Sequence, residues 1–209
     1  MGQAQDATLL AQVETPVANH LADLATTIVG TSEVALDGRR STVRTMESNL
    51  GNLAADSLLW QAGELAAGFG VPVPDVALQN GGGMRNDAVI PAGDITELDT
   101  FDVLPFPNFV TVIPDIPRAQ FKEILENAVS QVENVSGRFA QVAGFSFTYD
   151  PDGTAQVVDD DGVVLTAGTR VTEVTLDGGT QIVTSGNVVA GADVTIATID
   201  FLARGGDQY

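Results

Sequence analysis

The chain has 209 residues, 44% of them hydrophobic, which is enough apolar material for one large domain or two small ones. Its formal net charge is −19 with Lys122 as the only lysine, so its surface should repel nucleic acid and anionic lipid. It has no cysteine and a single histidine, His20, which excludes thiol catalysis, disulfides and a histidine-rich zinc or di-metal site.

Two helices are predicted in the first third of the chain. Apolar residues at spacings of three and four indicate an amphipathic helix over about residues 6–29, with a kink or a new segment at Pro16. A similar pattern predicts a second helix over about residues 49–67, on which Trp60 should belong to the core. Ser48 or Asn49 can cap this second helix.

The polar segment that leads from Arg44 into the second helix is the first that could bind a ligand. Free amides at a helix start, with an arginine just before them, suit an anion. An ordinary helix cap is the alternative, and the local residues alone favour it.

A glycine run follows a short buried strand predicted at residues 76–78. In Asn80-Gly81-Gly82-Gly83-Met84-Arg85, three glycines allow a tight turn and the approach of a ligand to backbone amides, and Arg85 could bind an anion. A plain turn with a solvent-facing arginine is equally open. The spacing excludes a P-loop or a dinucleotide fingerprint.

Two further segments each carry an aromatic residue. At residues 104–108 two prolines pin Phe106 in a stiff turn, which makes it either a stacking platform or part of the core. Phe201 precedes Gly205-Gly206-Asp207, and an aromatic face beside a carboxylate is how proteins hold a base and its ribose hydroxyls. A helix cap with a core phenylalanine is the alternative there.

The rest of the chain predicts a scaffold. We expect a helix over residues 118–131, strands over 109–113 and 194–202, and alternating strands from Phe139 onward. Hairpin turns are predicted at residues 152–153 and 161–162, where the aspartates lack the spaced ligands of a calcium loop. The mixture predicts one mixed α/β domain over residues 1–209, and no apolar run approaches the roughly 18 residues of a membrane span.

These segments resemble the C-terminal domain of the 5′-nucleotidase / UDP-sugar hydrolase family and follow its order. The resemblance runs from about residue 9 to the last residue, and five motifs carry it: Glu47–Asp56, Asn80–Arg85, Leu104–Phe106, Gly137–Gly144 and Phe201–Tyr209. Pro107 and Gln208 depart from the family pattern, in which glycine is usual, so the resemblance leaves the substrate open.

The resemblance implies a division of labour between two domains. In the family an N-terminal metallophosphatase domain binds two divalent metal ions and hydrolyses a phosphate ester, while the C-terminal domain holds the nucleoside. We therefore expect this chain to bind the nucleotide or nucleoside of a periplasmic or extracellular 5′-nucleotidase of nucleotide catabolism. It should hold no catalytic residue, metal or cofactor, and its partner should be its own N-terminal domain, with the helix over residues 6–29 near the interdomain hinge.

The resemblance also implies roles for six residues. Phe106 and Phe201 would sandwich the base, Asn80 would bond to the base edge, Asp207 would accept from ribose hydroxyls, and Arg44 and Arg85 would reach ribose or phosphate oxygens. Two alternatives stay open: a hydrolase of the same fold acting on cyclic nucleotides, UDP-sugars or sulfur esters, and a non-catalytic acidic binding module.

Overall fold

The structure, a computed structural model, describes residues 6–159 and 162–209. It confirms the predicted mixed α/β class. The helices are α1 (Ala7–Leu9), α2 (Thr15–Thr26), α3 (Arg40–Val43), α4 (Asn49–Phe69), α5 (Glu97–Val103), α6 (Arg118–Val129) and α7 (Asp200–Ala203). The strands are β1 (Ile28–Ser32), β2 (Leu36–Asp37), β3 (Val76–Asn80), β4 (Val89–Ile90), β5 (Gly93–Thr96), β6 (Val110–Ile116), β7 (Ala140–Ala143), β8 (Phe145–Tyr149), β9 (Val157–Val158), β10 (Val164–Thr166), β11 (Val171–Leu176), β12 (Gln181–Thr184), β13 (Asn187–Val188) and β14 (Val194–Ile199). The turn predicted at residues 161–162 falls partly outside the described residues.

The N-terminal helical stretch is shorter than predicted. A π-helical turn at Leu10–Glu14 joins α1 to α2 without a break, and Pro16, the second residue of α2, follows that turn. The predicted extension to residue 29 is wrong, because α2 ends at Thr26 and the chain continues as β1, which pairs antiparallel with β5. None of the residues of α1, the π-helical turn and α2 is buried, His20 included, so the apolar side chains Leu9, Val13 and Val17 face solvent.

The second predicted helix is confirmed as α4. The Ser48 hydroxyl accepts a hydrogen bond from the Gly51 N–H at 2.9 Å, and Gly70 ends the helix with a φ of 67°. The prediction that Trp60 belongs to the core is wrong, since it is 64% exposed. Leu58 and Ala62 face the core, and Trp60, two residues from each, lies on the opposite side at about 100° per residue.

A four-stranded mixed sheet of order β6-β14-β3-β7 forms the centre of the main core. Strands β3 and β14 pair in parallel, with Ala197 opposite Ala77, while the two outer strands run antiparallel to them. Helix α4 packs against this sheet. The carboxyl ends of two adjacent parallel strands therefore meet at one edge, which is where open α/β sheets place ligand sites.

The second half of the chain adds an antiparallel sheet of order β13-β12-β11-β8, as the period-two pattern predicts. Helix α6 packs against it, with the Phe121 and Phe145 rings edge to face at 5.2 Å. The buried Glu126 carboxylate accepts bonds from the backbone N–H groups of Arg170 and Val171, which fixes α6 to the start of β11. The strand predicted over residues 194–202 ends at Ile199, and its last three residues belong to α7 instead. Asp200, the first residue of α7, donates a hydrogen bond to the Phe109 carbonyl and accepts one from the Phe109 N–H.

Candidate functional site

A cleft of about 560 Å³ lies at the carboxyl ends of the parallel strands β3 and β14. This volume is within the range of small-molecule sites, about 300–1,000 Å³. It is lined by residues that follow β3, residues that follow β14 and the proline turn before β6. All six residues singled out in the sequence line it: Arg44, Asn80, Arg85, Phe106, Phe201 and Asp207.

In the glycine run, the N–H groups of Gly81 and Gly82 are already hydrogen-bonded, and the missing side chains allow two backbone segments to pack closely. The N–H groups of Gly81 and Gly82 donate to the carbonyls of Phe139 and Gly137, each at 2.7 Å. A Cβ on Gly82 would lie 2.9 Å from the Gly137 Cα, closer than such atoms approach. The interpretation of these amides as a cradle for a ligand is therefore wrong for Gly81 and Gly82, and the run instead lets two chain segments touch beneath the cleft.

Asn80 holds the carboxylate of Asp207. Its Nδ2 donates to Asp207 Oδ2 at 2.6 Å, and its Oδ1 accepts from Gln79 Nε2 at 3.0 Å. The side chain is 2% exposed and engaged at both ends, so this arrangement does not favour the predicted contact with a base edge. It orients Asp207 instead.

Arg44 is a buried cation without a partner. The residue is 6% exposed, and within the described part of the chain its side chain makes no hydrogen bond or ion pair, with Nε fully enclosed. Burial first, and the charges of Arg40 and Arg85 next, lower the pKa of its guanidinium, although Asp207 and Asp87 oppose them. An arginine stays protonated in proteins, so the site holds a buried positive charge that an anionic ligand would stabilise.

The position of Arg44 is set by a buried amide on the central sheet. Gln141 on β7 is 1% exposed; its Nε2 donates to the carbonyls of Val43 and Met46, and its Oε1 accepts from the Ser48 N–H. These three bonds bracket the segment between α3 and α4. Arg44 therefore lies on a rigid support, although no helix or strand contains it.

Aromatic surface and a second arginine line the outer part of the cleft. Phe106 is 51% exposed and Phe201 is 42% exposed, so both rings can present apolar surface to a ligand in the cleft. The Arg85 guanidinium lies over the Phe106 ring at 5.6 Å from its centroid, and its Nη1 donates to the Gly82 carbonyl at 3.3 Å. Gly206 lies under the Phe201 ring, where a Cβ would come within 2.5 Å of it.

Sequence reasoning missed several residues of the cleft. Asn108 lines it two residues after Phe106, and within the described residues its side-chain amide makes no hydrogen bond, so it is better placed than Asn80 to meet a base edge. Arg204 also lines it and pairs with Asp200 at 2.5 Å. The i,i+4 spacing of this pair was a readable signal, whereas nothing in the local sequence marked Asn108.

No group of three or more histidines, aspartates or glutamates that could hold a metal ion occurs in residues 6–159 and 162–209. Over the same two ranges, every helix is too short or too polar to span a bilayer.

Comparison with known proteins identifies relatives over nearly the whole chain. The sequence model of the family described as "5'-nucleotidase, C-terminal domain" matches residues 28–209. A trifunctional nucleotide phosphoesterase of Bacillus subtilis is 39% identical over 194 residues, which is 91% of this chain and 12% of that protein. A 5'-nucleotidase of Vibrio parahaemolyticus is 33% identical over 62% of this chain and 20% of its own length.

Solved structures show the same similarity. The crystal structure of a 5'-nucleotidase precursor from Thermus thermophilus superposes with a TM-score of 0.74 at 33% identity, over 98% of this chain and 36% of that one. The chain thus spans a minor part of the length of the relatives that it matches.

Proposed function

The chain belongs to the 5′-nucleotidase family, as a C-terminal domain of that family, and from this premise we propose that it binds the nucleoside part of a phosphate ester hydrolysed by the whole protein. The observation that carries the proposal is Arg44, a buried cation without an anion in a cleft that also holds two exposed rings and a carboxylate. A nucleotide supplies a group for each of these features.

The chemistry of each side chain supports one role. The Phe106 and Phe201 rings offer flat apolar faces for a base, since stacking tolerates any base. Asp207 accepts hydrogen bonds from ribose hydroxyls, while the bond from Asn80 to Oδ2 keeps the Asp207 carboxylate in place. Arg44 and Arg85 supply positive charge for the phosphate. Asn108 offers an amide for the base edge.

Hydrolysis itself needs groups that this chain does not supply. With one histidine and no metal-binding cluster in its described residues, the chain does not fit two divalent ions, and we place them in a separate metallophosphatase domain of a longer, exported parent protein. The exposed apolar residues of α1 and α2 support an adjoining domain near that helix. Rotation about a hinge there would carry the bound ester to the metals.

Binding to the chain separates these roles. We expect adenosine and AMP to bind weakly in calorimetric or NMR titrations, because the contacts of the phosphate with metal are missing. Phe201→Ala should weaken both ligands by about 1–3 kcal/mol, the contribution of one stacked base. Arg85→Ala should weaken AMP more than adenosine, because only AMP brings the anion. Unchanged binding of both ligands by Phe201→Ala would refute the proposal.

A second candidate is a hydrolase that accepts a wider set of esters, such as cyclic nucleotides. It is favoured by the Bacillus subtilis relative, whose name describes three phosphoesterase activities. Assaying the full-length parent protein against nucleoside monophosphates, cyclic nucleotides and UDP-sugars distinguishes the two, because a strict 5′-nucleotidase hydrolyses the first class alone.

A further inference from the structure

The turn that presents Asp207 to the cleft has an unfavourable backbone. Asp207 has φ 53° and ψ 23°, and Gln208, directly after it, has φ 64°. Both lie in the left-handed region, where the Cβ of a residue other than glycine meets the neighbouring backbone. Two such residues in succession persist only where the surroundings hold them.

Arg138 is at the centre of the contacts that hold this turn. Its Nη2 donates to Gln208 Oε1 at 2.7 Å, and its Nη1 donates to Asn127 Oδ1 at 3.1 Å. Asn127, which is 2% exposed, in turn donates through Nδ2 to the Asp207 carbonyl at 3.1 Å. The Tyr209 hydroxyl donates to the Arg138 carbonyl. One guanidinium therefore acts on both left-handed residues, directly at Gln208 and through Asn127 at Asp207.

This arrangement is suited to positioning rather than to ion pairing. Within the described residues Arg138 has no carboxylate within salt-bridge distance, so its bonds go to neutral amide and hydroxyl oxygens. The Asp207 carboxylate itself accepts a hydrogen bond from Asn80. Gly137 leaves room for this carboxylate, since a Cβ on Gly137 would lie 3.4 Å from Oδ2. Asp207 is thus held at two points: Asn127 binds its backbone carbonyl, and Asn80 binds its carboxylate.

We propose that Arg138 is a positioning residue for ligand binding, and that Gln208 is its anchor: together they hold the Asp207 carboxylate in the orientation that accepts ribose hydroxyls. This inference rests on the proposed binding of a nucleoside. It extends that proposal, because neither residue lines the cleft. Preorganisation of an acceptor strengthens binding without a new contact to the ligand.

The test compares adenosine with 2′,3′-dideoxyadenosine, which lacks the hydroxyls that Asp207 would bind, on the full chain. Gln208→Asn removes the reach to Arg138 while easing the backbone, because asparagine tolerates the left-handed region. Gln208→Glu keeps both reach and acceptor. The matched control is Asp115→Asn, at another left-handed residue that is exposed and outside the cleft. Amide hydrogen exchange of residues 205–209 gives a readout that needs no ligand.

We expect Gln208→Asn and Arg138→Lys to weaken adenosine on the order of tenfold, the loss of about one hydrogen bond to a charged group, with dideoxyadenosine unchanged and faster exchange in the turn. Asp115→Asn should match the unmodified chain, and Gln208→Glu, which keeps an acceptor for Arg138, should retain more adenosine binding than Gln208→Asn. Equal losses for both nucleosides, or unchanged adenosine binding by Gln208→Asn, would overturn the inference. If the unmodified chain does not distinguish the two nucleosides, the proposed role of Asp207 fails, and the exchange data alone decide whether the anchor exists.

Discussion

Replacing Arg44 by methionine should make the ligand-free domain more stable and should weaken its binding of phosphate esters. Arg44 is 6% exposed and makes no ion pair or side-chain hydrogen bond among the described residues, so only the more distant charges of Asp207 and Asp87 offset the cost of removing its guanidinium from water. An apolar side chain of similar length avoids that penalty, and replacements of buried charges by apolar residues are neutral to stabilising. We expect a gain of about 1–2 kcal/mol, which at about 2–4 °C per kcal/mol for a chain of this size raises Tm by about 2–8 °C.

The same substitution should weaken AMP by about 10-fold to 150-fold, since a hydrogen bond to a charged group contributes about 1.5–3 kcal/mol, and should change adenosine binding little. Differential scanning calorimetry measures the first effect, and isothermal titration measures the second. The control is Arg39→Met, because Arg39 is exposed and pairs with Asp37 on the surface, where solvent screens the pair and its contribution to stability is small. A lower Tm for Arg44→Met than for Arg39→Met would mean that the Arg44 charge supports the fold, and the reasoning would be refuted.

Two other predictions test the chemistry of the chain at neutral and acidic pH. The pure chain should not hydrolyse 5′-AMP or a generic phosphate ester with added Mn²⁺, Zn²⁺ or Mg²⁺, and metal-dependent turnover would contradict the division of labour. The hydrogen bond from the Arg39 side chain, more than any other interaction, lowers the pKa of Asp37 to about 2, so the stabilisation by this pair is present above about pH 4 and is lost as the pH falls towards 2. A carboxyl ¹³C titration should show this value for Asp37 and its return towards about 3.9 in Arg39→Met; an unchanged value in the variant would exclude Arg39 as the cause.

The elements that could be predicted from the sequence are those whose signal is local. Helix α4 has a capping serine at its start, a glycine after its last turn and a regular apolar stripe, and α6 has the same stripe, so both were predicted within about two residues. The end of the N-terminal helix could not be predicted in this way. Ile28 continues the helical spacing, but the pairing of residues 28–32 with β5, over 60 residues later, determines that they form a strand.

The membership of the cleft was predictable, but the bonding within it was not. Each of the four segments had a local alternative that was as good as or better than ligand binding, and their order along the chain distinguished between them. The bond between Asn80 and Asp207 joins residues 127 positions apart, and no spacing in the sequence reveals it. Similarly, the closeness of Gly82 to Gly137 is a consequence of how β3 and β7 pair, so the glycines could be recognised as important for a reason that proved wrong.

The excess of negative charge and the proposed affinity for a phosphate ester are compatible because they act over different distances. A net charge of −19 repels an anion at long range, but at physiological ionic strength this repulsion is screened beyond about 8 Å. Within the cleft Arg204 is paired with Asp200, but Arg44 and Arg85 have no carboxylate within ion-pair distance among the described residues, and Arg44 is desolvated, so its field is weakly screened. Attraction is therefore restricted to the cleft, and the rest of the surface discourages polyanions that are too large to enter it.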